Sequence, residues 1–270
     1  MSDPAKEFTI EKISPEGRRE QGDHIAREDP LEIRIEGKSI AVVMRTPGHD
    51  RELAAGFLLS EGVAAKAGDV FEISECPSHA ENLEEKGNVV DVLLTEGAKF
   101  DPESLTRHVF SSSSCGICGK ATVESVFGNF PRIETASCLS AAQLATYPDK
   151  LRAAQATFDK TGGLHASALF DKSGEIVVLR EDVGRHNALD KVIGYSLLED
   201  KLPLSENTLL LSGRISFELM QKALAAGIPT IAGISAPSSL AVEFARESGQ
   251  TLVGFLRGET MNVYAGDIAR

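Results

Sequence analysis

Residues 208–257 read TLLLSGRISFELMQKALAAGIPTIAGISAPSSLAVEFARESGQTLVGFLR, and this stretch decides the fold class. Apolar runs at 208–211, 230–234 and 251–256 have the length and composition of buried strands, and apolar residues recur at helical spacing between them. A glycine follows each of the two intervening segments, where a helix should stop. This alternation of strand and helix predicts a largely parallel sheet with helices on its faces.

The chain upstream of this stretch extends the same pattern. A capping-box spacing that begins at Ser140 predicts a helix, and apolar runs at 164–170 and 176–179 around a turn predict a β-hairpin. Another helix is predicted from about Asn187. We therefore expect one α/β domain over residues 136–270.

A smaller α+β unit is predicted before it, at residues 31–135. Period-2 alternation around a turn predicts a hairpin over residues 31–44. A helix should follow, with Asp50 as its cap. Strands predicted at 70–73 and 89–94 complete the unit.

Residues 1–30 are polar and lack periodicity, so we interpret them as a partly ordered N-terminal arm. The start of the chain has no apolar core of the kind that a secretory signal needs. The longest apolar runs, such as 40–44, fall far short of the roughly 20 residues needed to span a membrane. We expect a cytoplasmic protein with no membrane partner.

The charge balance argues against a nucleic-acid partner. The 28 Lys and Arg residues against 40 Asp and Glu residues give a net charge of −12. Duplex binding draws most of its affinity from Lys and Arg side chains that neutralise phosphates, and this chain is short of them. A local basic pocket stays compatible with this composition.

Polar or glycine-containing clusters follow four of the predicted strands. They lie at 180–187, 212–214, 235–238 and 257–260. In open α/β sheets, ligands bind outside the carboxyl ends of the strands, and arginines within these clusters favour an anionic ligand. Each cluster taken alone is better explained by ordinary capping and turn chemistry.

The segment SSSSCGICGK at 111–120 carries the reactive groups of the sequence. Its serines and glycines predict an exposed loop, and apolar residues spaced from Val123 to Phe130 predict a short amphipathic helix directly after it. The helix dipole and Lys120 would both favour the thiolate form of Cys115 and Cys118. A thiolate is a nucleophile.

Three uses compete for this cysteine pair. A closed zinc site needs two more ligands, and only Cys76 and Cys138 remain among the cysteines, at unusual spacing. A thioredoxin-like exchange pair would follow the first strand of a βαβ unit, which is not the context here. The third use is a mobile thiolate carrier, which accepts a group from one partner and delivers it to another.

Several ordered segments together resemble the formate dehydrogenase accessory sulfurtransferases, the FdhD family. The segments that carry the resemblance are RTPGHD at 45–50, CGIC at 115–118, TGGLH at 161–165, REDVGRHNA at 180–188 and FLRGET at 255–260. The resemblance covers nearly the whole chain after the N-terminal arm.

The resemblance implies a sulfurtransferase that works on the molybdenum cofactor. Sulfur would pass from a cysteine desulfurase to a persulfide on Cys115, with Cys118 as its helper. It would then pass to the molybdenum bis(molybdopterin guanine dinucleotide) cofactor before that cofactor enters formate dehydrogenase. A guanine nucleotide is expected to occupy the same site, and residues 255–260 look like the cofactor-binding segment.

The fold implied by the resemblance is a cytidine-deaminase-like three-layer α/β domain over 136–270, with a mostly parallel sheet, in addition to the smaller N-terminal α+β domain. The family also forms homodimers. The predicted catalytic residues are Cys115 and Cys118, and no metal ligand is assigned. The predicted cofactor-binding residues are Asp182, Arg185, His186, Arg214, Phe255, Leu256, Arg257, Gly258, Glu259 and Thr260.

Bland alternatives stay open for the polar residues of this set. Each arginine could form a surface salt bridge, and Asp182 could pair with a neighbouring arginine without touching ligand. His186 could be a ligand contact or a satisfied partner of a helix cap, and His165 could be structural.

Two other functions compete with sulfur transfer. A passive molybdenum-cofactor chaperone would use the same pocket without the cysteines. A zinc-dependent nucleobase deaminase would share the fold, but it needs H-x-E and P-C-x-x-C motifs. Residues 186–188 read HNA and residues 212–216 read SGRIS, so the glutamate and the cysteines are missing.

Overall fold

The computed structural model describes residues 3–76, 88–96, 98, 126–127, 129–134 and 139–269. The described strands form a mixed α/β fold with three sheets of two, four and six strands. No helix within these ranges combines the length and the apolarity needed to cross a membrane.

The first sheet is a two-stranded hairpin. Strands β1 (Ala5–Ser14) and β2 (Gly17–Ala26) pair in antiparallel fashion along their whole length. The prediction of a partly ordered arm is therefore wrong for residues 5–26. No side chain of either strand is buried. Without a face against a core, the sequence carries no period-2 pattern that would indicate a strand.

The four-stranded sheet belongs to the N-terminal half and has the order β4-β3-β6-β5. Its strands are β3 (Asp29–Ile35), β4 (Lys38–Arg45), β5 (Val70–Cys76) and β6 (Val89–Leu94). Helix α1 (Asp50–Ser60) follows β4, and a 3-10 turn at Ala67–Asp69 precedes β5. The predicted hairpin, helix and two strands of this unit are confirmed.

The six-stranded sheet has the order β12-β11-β10-β9-β7-β8. Its strands are β7 (His165–Phe170), β8 (Ile176–Asp182), β9 (Thr208–Leu211), β10 (Thr230–Gly233), β11 (Thr251–Arg257) and β12 (Thr260–Ala265). The last of these strands was not predicted.

Strand direction in this sheet corrects the expectation of a mostly parallel sheet. Pairings β9–β10 and β10–β11 are parallel, whereas β7–β8, β7–β9 and β11–β12 are antiparallel. Strands β8, β9, β10 and β11 therefore run one way, and β7 and β12 run the other way. The physical reason is that both β7–β8 and β11–β12 are hairpins, whose tight turns reverse the chain.

Six helices within the described part of the chain accompany the sheet. They are α2 (Ala141–Ala145), α3 (Tyr147–Ala154), α4 (Ala156–Thr161), α5 (Arg185–Leu198), α6 (Phe217–Ala225) and α7 (Ser239–Ser248). The Oγ of Ser140 accepts a hydrogen bond from the Gln143 amide, which confirms the predicted cap. Gly249 ends α7 with φ 77°, a left-handed conformation that favours glycine.

Both faces of the six-stranded sheet are covered. On β9, Leu209 and Leu211 belong to the core that α1, α5, α6 and α7 form, while Leu210 belongs to a second core with Leu144 and Leu151. All three leucines of β9 are at most 3% exposed. Apolar residues on both faces explain why β9 reads as a continuous apolar run.

Two glycines join the N-terminal helix to the C-terminal domain. A Cβ atom added at Gly56 of α1 would lie 1.9 Å from the carbonyl oxygen of Asp190, and one at Gly194 of α5 would lie 1.7 Å from that of Glu52. The two helices therefore touch backbone to backbone. This contact fixes how the end of β4 and the loop before α1 meet the larger sheet.

The cysteine motif at 115–118, Cys138, and residues 123–125 and 128 of the amphipathic helix predicted after the motif lie outside the described residues.

Candidate functional site

The carboxyl ends of β8, β9, β10 and β11 lie at one edge of the six-stranded sheet, because these strands run in one direction. The starts of β7 and β12 lie at the same edge, which we call the strand-end edge. Strand spacing of about 4.8 Å places β8 and β11 about 19 Å apart along it. The edge is therefore long enough for an extended ligand.

Asp182, the last residue of β8, is a buried structural centre. Its Oδ1 accepts hydrogen bonds from the Gly184 amide at 2.8 Å and from Asn187 Nδ2 at 3.0 Å. Its Oδ2 accepts from Lys191 Nζ at 2.6 Å and from the Thr46 amide at 3.1 Å. The side chain is fully buried, and its ion-pair partner is Lys191 rather than the arginine we expected as an alternative. Asp182 thus positions the start of α5, and it offers a ligand no exposed oxygen.

The segment 44–50 docks onto this centre, which the sequence analysis did not predict. Lys191 Nζ donates to the Thr46 carbonyl oxygen at 2.8 Å, and Asn187 Nδ2 donates to the Met44 carbonyl oxygen at 2.7 Å. The Thr46 Oγ1 accepts a hydrogen bond from the Val183 amide at 3.1 Å. The N-terminal unit therefore contributes to the strand-end edge. One signal for this contact is Lys191 itself, a charged residue followed directly by the apolar residues of α5 that face the core.

Asp50 does not cap α1, contrary to the prediction. The fully buried Arg45 binds both its oxygens, with Nε at 2.9 Å from Oδ1 and Nη2 at 2.8 Å from Oδ2. His49 occupies the cap position with φ 59°, in the left-handed region, and forms no side-chain cap hydrogen bond. The Arg45–Asp50 pair closes the loop between β4 and α1 because a bidentate pair fixes both ends.

Glu52 of α1 links this loop to β8. Arg180 binds it with two hydrogen bonds of 2.6 Å and 2.8 Å, and His49 Nδ1 lies 3.4 Å from its Oε2. Burial raises the pKa of Glu52, but the hydrogen bonds from Arg180 and His49 outweigh burial and lower the pKa to about 2. The carboxylate form of Glu52 is therefore favoured by the folded state.

We expect Glu52→Gln to lower the free energy of unfolding by up to about 3 kcal/mol at neutral pH. The folded pKa of about 2 lies below the ordinary glutamate pKa of 4.5, so the stabilisation is complete above about pH 4.5 and is lost as the pH falls towards 2. Urea denaturation of both proteins, from neutral pH down to about pH 3, measures the difference. Exposed Glu243, substituted by Gln, is the control, and a difference that did not change with pH would contradict the assignment.

Arg185, Arg214 and Arg257 all lie at the strand-end edge, and none of them has a carboxylate partner among the residues that the structure describes. Arg185 begins α5, Arg214 follows β9, and Arg257 ends β11. Within the described part of the chain, no carboxylate lies at salt-bridge distance from any of them. The Nε of Arg185 is buried and has no hydrogen-bond partner there. Three unpaired guanidinium groups in a chain with a net charge of −12 favour an anionic ligand.

The side chain of His186 lies beside the start of α6. Its Nε2 lies 3.4 Å from Ser216 Oγ and 4.0 Å from a Glu218 carboxylate oxygen. Burial lowers the pKa of His186 most, and Lys222 and Arg185 lower it further, to about 4. His186 is therefore neutral near pH 7, and its Nε2 has a hydrogen-bond partner in Ser216, the residue at the cap position of α6.

The segment 255–260 comprises the end of β11, the two-residue turn and the first residue of β12. Phe255 has φ 52° at a β-bulge and is 37% exposed, and its amide donates to the Ser235 carbonyl oxygen at 3.1 Å. Arg257 lies over the Phe255 ring, 5.6 Å from its centroid. Leu256 faces the core and is fully buried. Gly258, Glu259 and Thr260 are exposed at the turn.

The structure thus brings the predicted polar residues to one edge but gives them different surroundings. Arg185, Arg214, Phe255 and Arg257 present side-chain surface there, while Asp182 and the Leu256 side chain are buried. Ligand binding by these residues stays a prediction. Cys115 and Cys118 lie outside the described residues, so their position relative to the edge stays a prediction as well.

The fold and the strand-end edge define a class of protein: an α/β protein whose strand ends suit an anionic ligand. Residues 26–269 match the model of the FdhD/NarQ family, and the chain belongs to this family.

Curated relatives and a solved structure are similar to the chain over most of its length. The "Sulfur carrier protein FdhD" of Streptomyces avermitilis is 52% identical in an alignment of 252 residues that covers 91% of this chain and 88% of the relative. The protein of the same name from Saccharolobus solfataricus is 42% identical over 264 residues, 96% of this chain and 95% of the relative. A crystal structure described as a formate dehydrogenase accessory protein, from Desulfotalea psychrophila, has a TM-score of 0.77 at 27% identity and covers 98% of both chains.

Proposed function

We propose that this protein is a sulfurtransferase that carries sulfur as a persulfide on Cys115. It receives sulfur from a cysteine desulfurase and delivers it to the molybdenum bis(molybdopterin guanine dinucleotide) cofactor, which formate dehydrogenase then takes up. The name of the curated relatives, sulfur carrier protein, supports the sulfur-transfer role. The description of the solved structure, a formate dehydrogenase accessory protein, supports formate dehydrogenase as the enzyme served.

Sulfur exchange at Cys115 needs no external oxidant. The Cys115 thiolate attacks the outer sulfur of the donor's persulfide, the donor's S–S bond breaks, and the donor cysteine leaves as a thiolate. A new S–S bond on Cys115 holds the transferred sulfur. Cys118 lies three positions along the chain, where its thiol can stabilise or receive that sulfur during delivery.

The observation that carries the cofactor part of the proposal is the set of unpaired arginines. Arg185, Arg214 and Arg257 lie at the strand-end edge with no carboxylate partner among the described residues. Arginine binds phosphate oxygens in bidentate fashion, and the start of α5 adds backbone donors. The edge spans about 19 Å from β8 to β11, which suits a ligand with several phosphates better than a single small anion.

Phe255 supports a nucleotide rather than an inorganic ligand. An aromatic ring that is 37% exposed beside Arg257 offers a surface on which a guanine base can stack.

The strand order of the six-stranded sheet supports the proposed cytidine-deaminase-like fold. The order β8-β7-β9-β10-β11 with one antiparallel strand, covered by helices on both faces, is compatible with a cytidine-deaminase-like three-layer domain.

Guanine-nucleotide binding tests the cofactor site. We expect Arg257→Ala to weaken GDP binding about tenfold or more, because a hydrogen bond to a charged group contributes about 1.5 to 3 kcal/mol. Isothermal titration calorimetry with GDP measures the affinity. Arg18→Ala, which removes an exposed arginine from the N-terminal hairpin, is the matched control and should bind as the wild type does. Unchanged affinity in Arg257→Ala would contradict the assigned site.

The alternative function is a passive cofactor chaperone. It would show the same GDP binding but no dependence on Cys115, so the cysteine variants described below separate the two.

The desulfurase, formate dehydrogenase and a second copy of the chain are the partners that the proposal includes. Light scattering of the purified protein tests the homodimer.

A further inference from the structure

His165 occupies an unusual place at the strand-end edge. It is the first residue of β7 and pairs directly with Asp182 at the end of β8. A Cβ atom added at Gly213 would lie 3.0 Å from His165 Nδ1, so the imidazole packs against the backbone directly before Arg214. The ring is partly buried, and neither of its nitrogens has a hydrogen-bond partner among the described residues.

The charged groups around His165 come from three neighbouring elements. Arg185 stands on α5, Arg214 stands in the loop after β9, and Asp182 stands on β8. Burial lowers the pKa of His165 most, Arg185 and Arg214 lower it too, and Asp182 opposes them. Because Lys191 pairs with Asp182, the opposing charge is partly neutralised. In the ligand-free protein His165 is therefore a neutral imidazole beside two cationic side chains.

An anion between the two arginines would reverse this balance. A phosphate dianion bound by Arg185 and Arg214 replaces a positive local potential at the imidazole with a negative one. The unpartnered ring nitrogens can then donate to its oxygens once the ring is protonated.

We propose that His165 is a third contact for the phosphate group held by Arg185 and Arg214, and that it takes up a proton from solvent when the phosphate binds. The inference rests on the cofactor site proposed above and adds to it a residue and a protonation step. In the free protein His165 is neutral and adds no charge beside the two arginines. In the bound protein it is protonated and donates an N–H group to a phosphate oxygen. Linkage requires that GDP then binds more tightly as the pH falls, over the range in which free His165 is neutral and bound His165 is protonated.

Calorimetry with GDP tests this proposal directly. Titrations near pH 7 in buffers of different ionisation enthalpy give the number of protons taken up on binding. We expect the wild type to take up at least about half a proton more per GDP bound than the variant His165→Gln does. Glutamine keeps a hydrogen-bond donor at this position but does not titrate. The protonation of GDP itself is common to both proteins and cancels in the comparison. His24→Gln, which removes an exposed histidine of β2, is the control and should match the wild type.

The outcomes separate this inference from the proposed function. Equal proton uptake by the wild type and His165→Gln, with GDP bound by both, would overturn the role of His165 alone. No GDP binding by the wild type would overturn the cofactor site and the role of His165 with it. A second measurement needs no variant: the imidazole resonance of His165, followed by NMR through a pH titration, should report a higher pKa with GDP than without, and an unchanged pKa would overturn the inference.

Discussion

Alanine in place of Cys115 is expected to abolish activation of formate dehydrogenase while leaving the protein folded and able to bind GDP. A persulfide requires a sulfur atom at the position that the desulfurase and the cofactor both reach, and alanine has none. The serine- and glycine-rich sequence around Cys115 predicts an exposed loop, where loss of the thiol should cost little packing. The loss should therefore be at least about 100-fold in activation, with little change in the free energy of unfolding.

Three comparisons make this result specific. Activation is measured by formate oxidation in cells or extracts that lack the native accessory protein, and GDP affinity is measured on the same variants. Cys118→Ala should reduce activation less than Cys115→Ala, because it leaves the carrier sulfur in place. Cys76→Ala, a cysteine on β5 outside the motif, is the control and should activate normally. Full activation by Cys115→Ala would leave the passive chaperone as the better account.

Gly194→Ala is expected to be the most destabilising single substitution of a small residue in the described core. The added Cβ would lie 1.7 Å from the Glu52 carbonyl oxygen and 2.7 Å from the Gly56 nitrogen, and both are backbone atoms that no rotamer change can move. Helices α1 and α5 would have to separate along their whole contact. We expect a loss of about 4 kcal/mol or more, or failure to fold at 37 °C.

Urea denaturation measures this loss, and another glycine of the chain provides the control. A Cβ at Gly68, in the 3-10 turn before β5, meets nothing within 4 Å, and its φ lies outside the left-handed region. Gly68→Ala should therefore stay within about 0.5 kcal/mol of the wild type. A stable Gly194→Ala protein would show that α1 and α5 do not meet by direct backbone contact.

The central strands β9 and β10 follow from local sequence because they are buried on both faces. Residues 208–211 and 230–233 are continuous apolar runs, and both form the strands that the sequence predicts. Strand direction is harder to predict, since β7 and β12 reverse the chain through hairpin turns with β8 and β11, their direct neighbours at the two ends of the sheet. Alternation of strand and helix predicts only the parallel centre.

The N-terminal hairpin and the docking of segment 44–50 could not be predicted from periodicity. Strands β1 and β2 expose nearly all their side chains, so nothing in their composition distinguishes them from an irregular arm. The contacts of Thr46 with Asp182 and Lys191 join residues more than 130 positions apart. Buried charges mark such contacts, but a single sequence does not say which charge meets which.

At the strand-end edge, residue types indicate the chemistry but not the division of roles. Asp182 and Arg185 stand within one polar cluster of the sequence, yet Asp182 is fully buried beneath the edge, whereas Arg185 is half-buried and its Nε has no hydrogen-bond partner among the described residues. His165 lies far upstream of that cluster and meets it only through the pairing of β7 with β8. Sheet pairing therefore assembles the site from segments that the sequence keeps apart.

The measurement that tests the central claim most directly is the intact mass of the protein after incubation with a cysteine desulfurase and free cysteine. Persulfide transfer predicts the gain of one sulfur atom by the wild type, removed by reductant and absent from Cys115→Ala. The same gain in Cys115→Ala, or no gain by the wild type with a desulfurase that persulfidates another acceptor, would contradict sulfur transfer through Cys115.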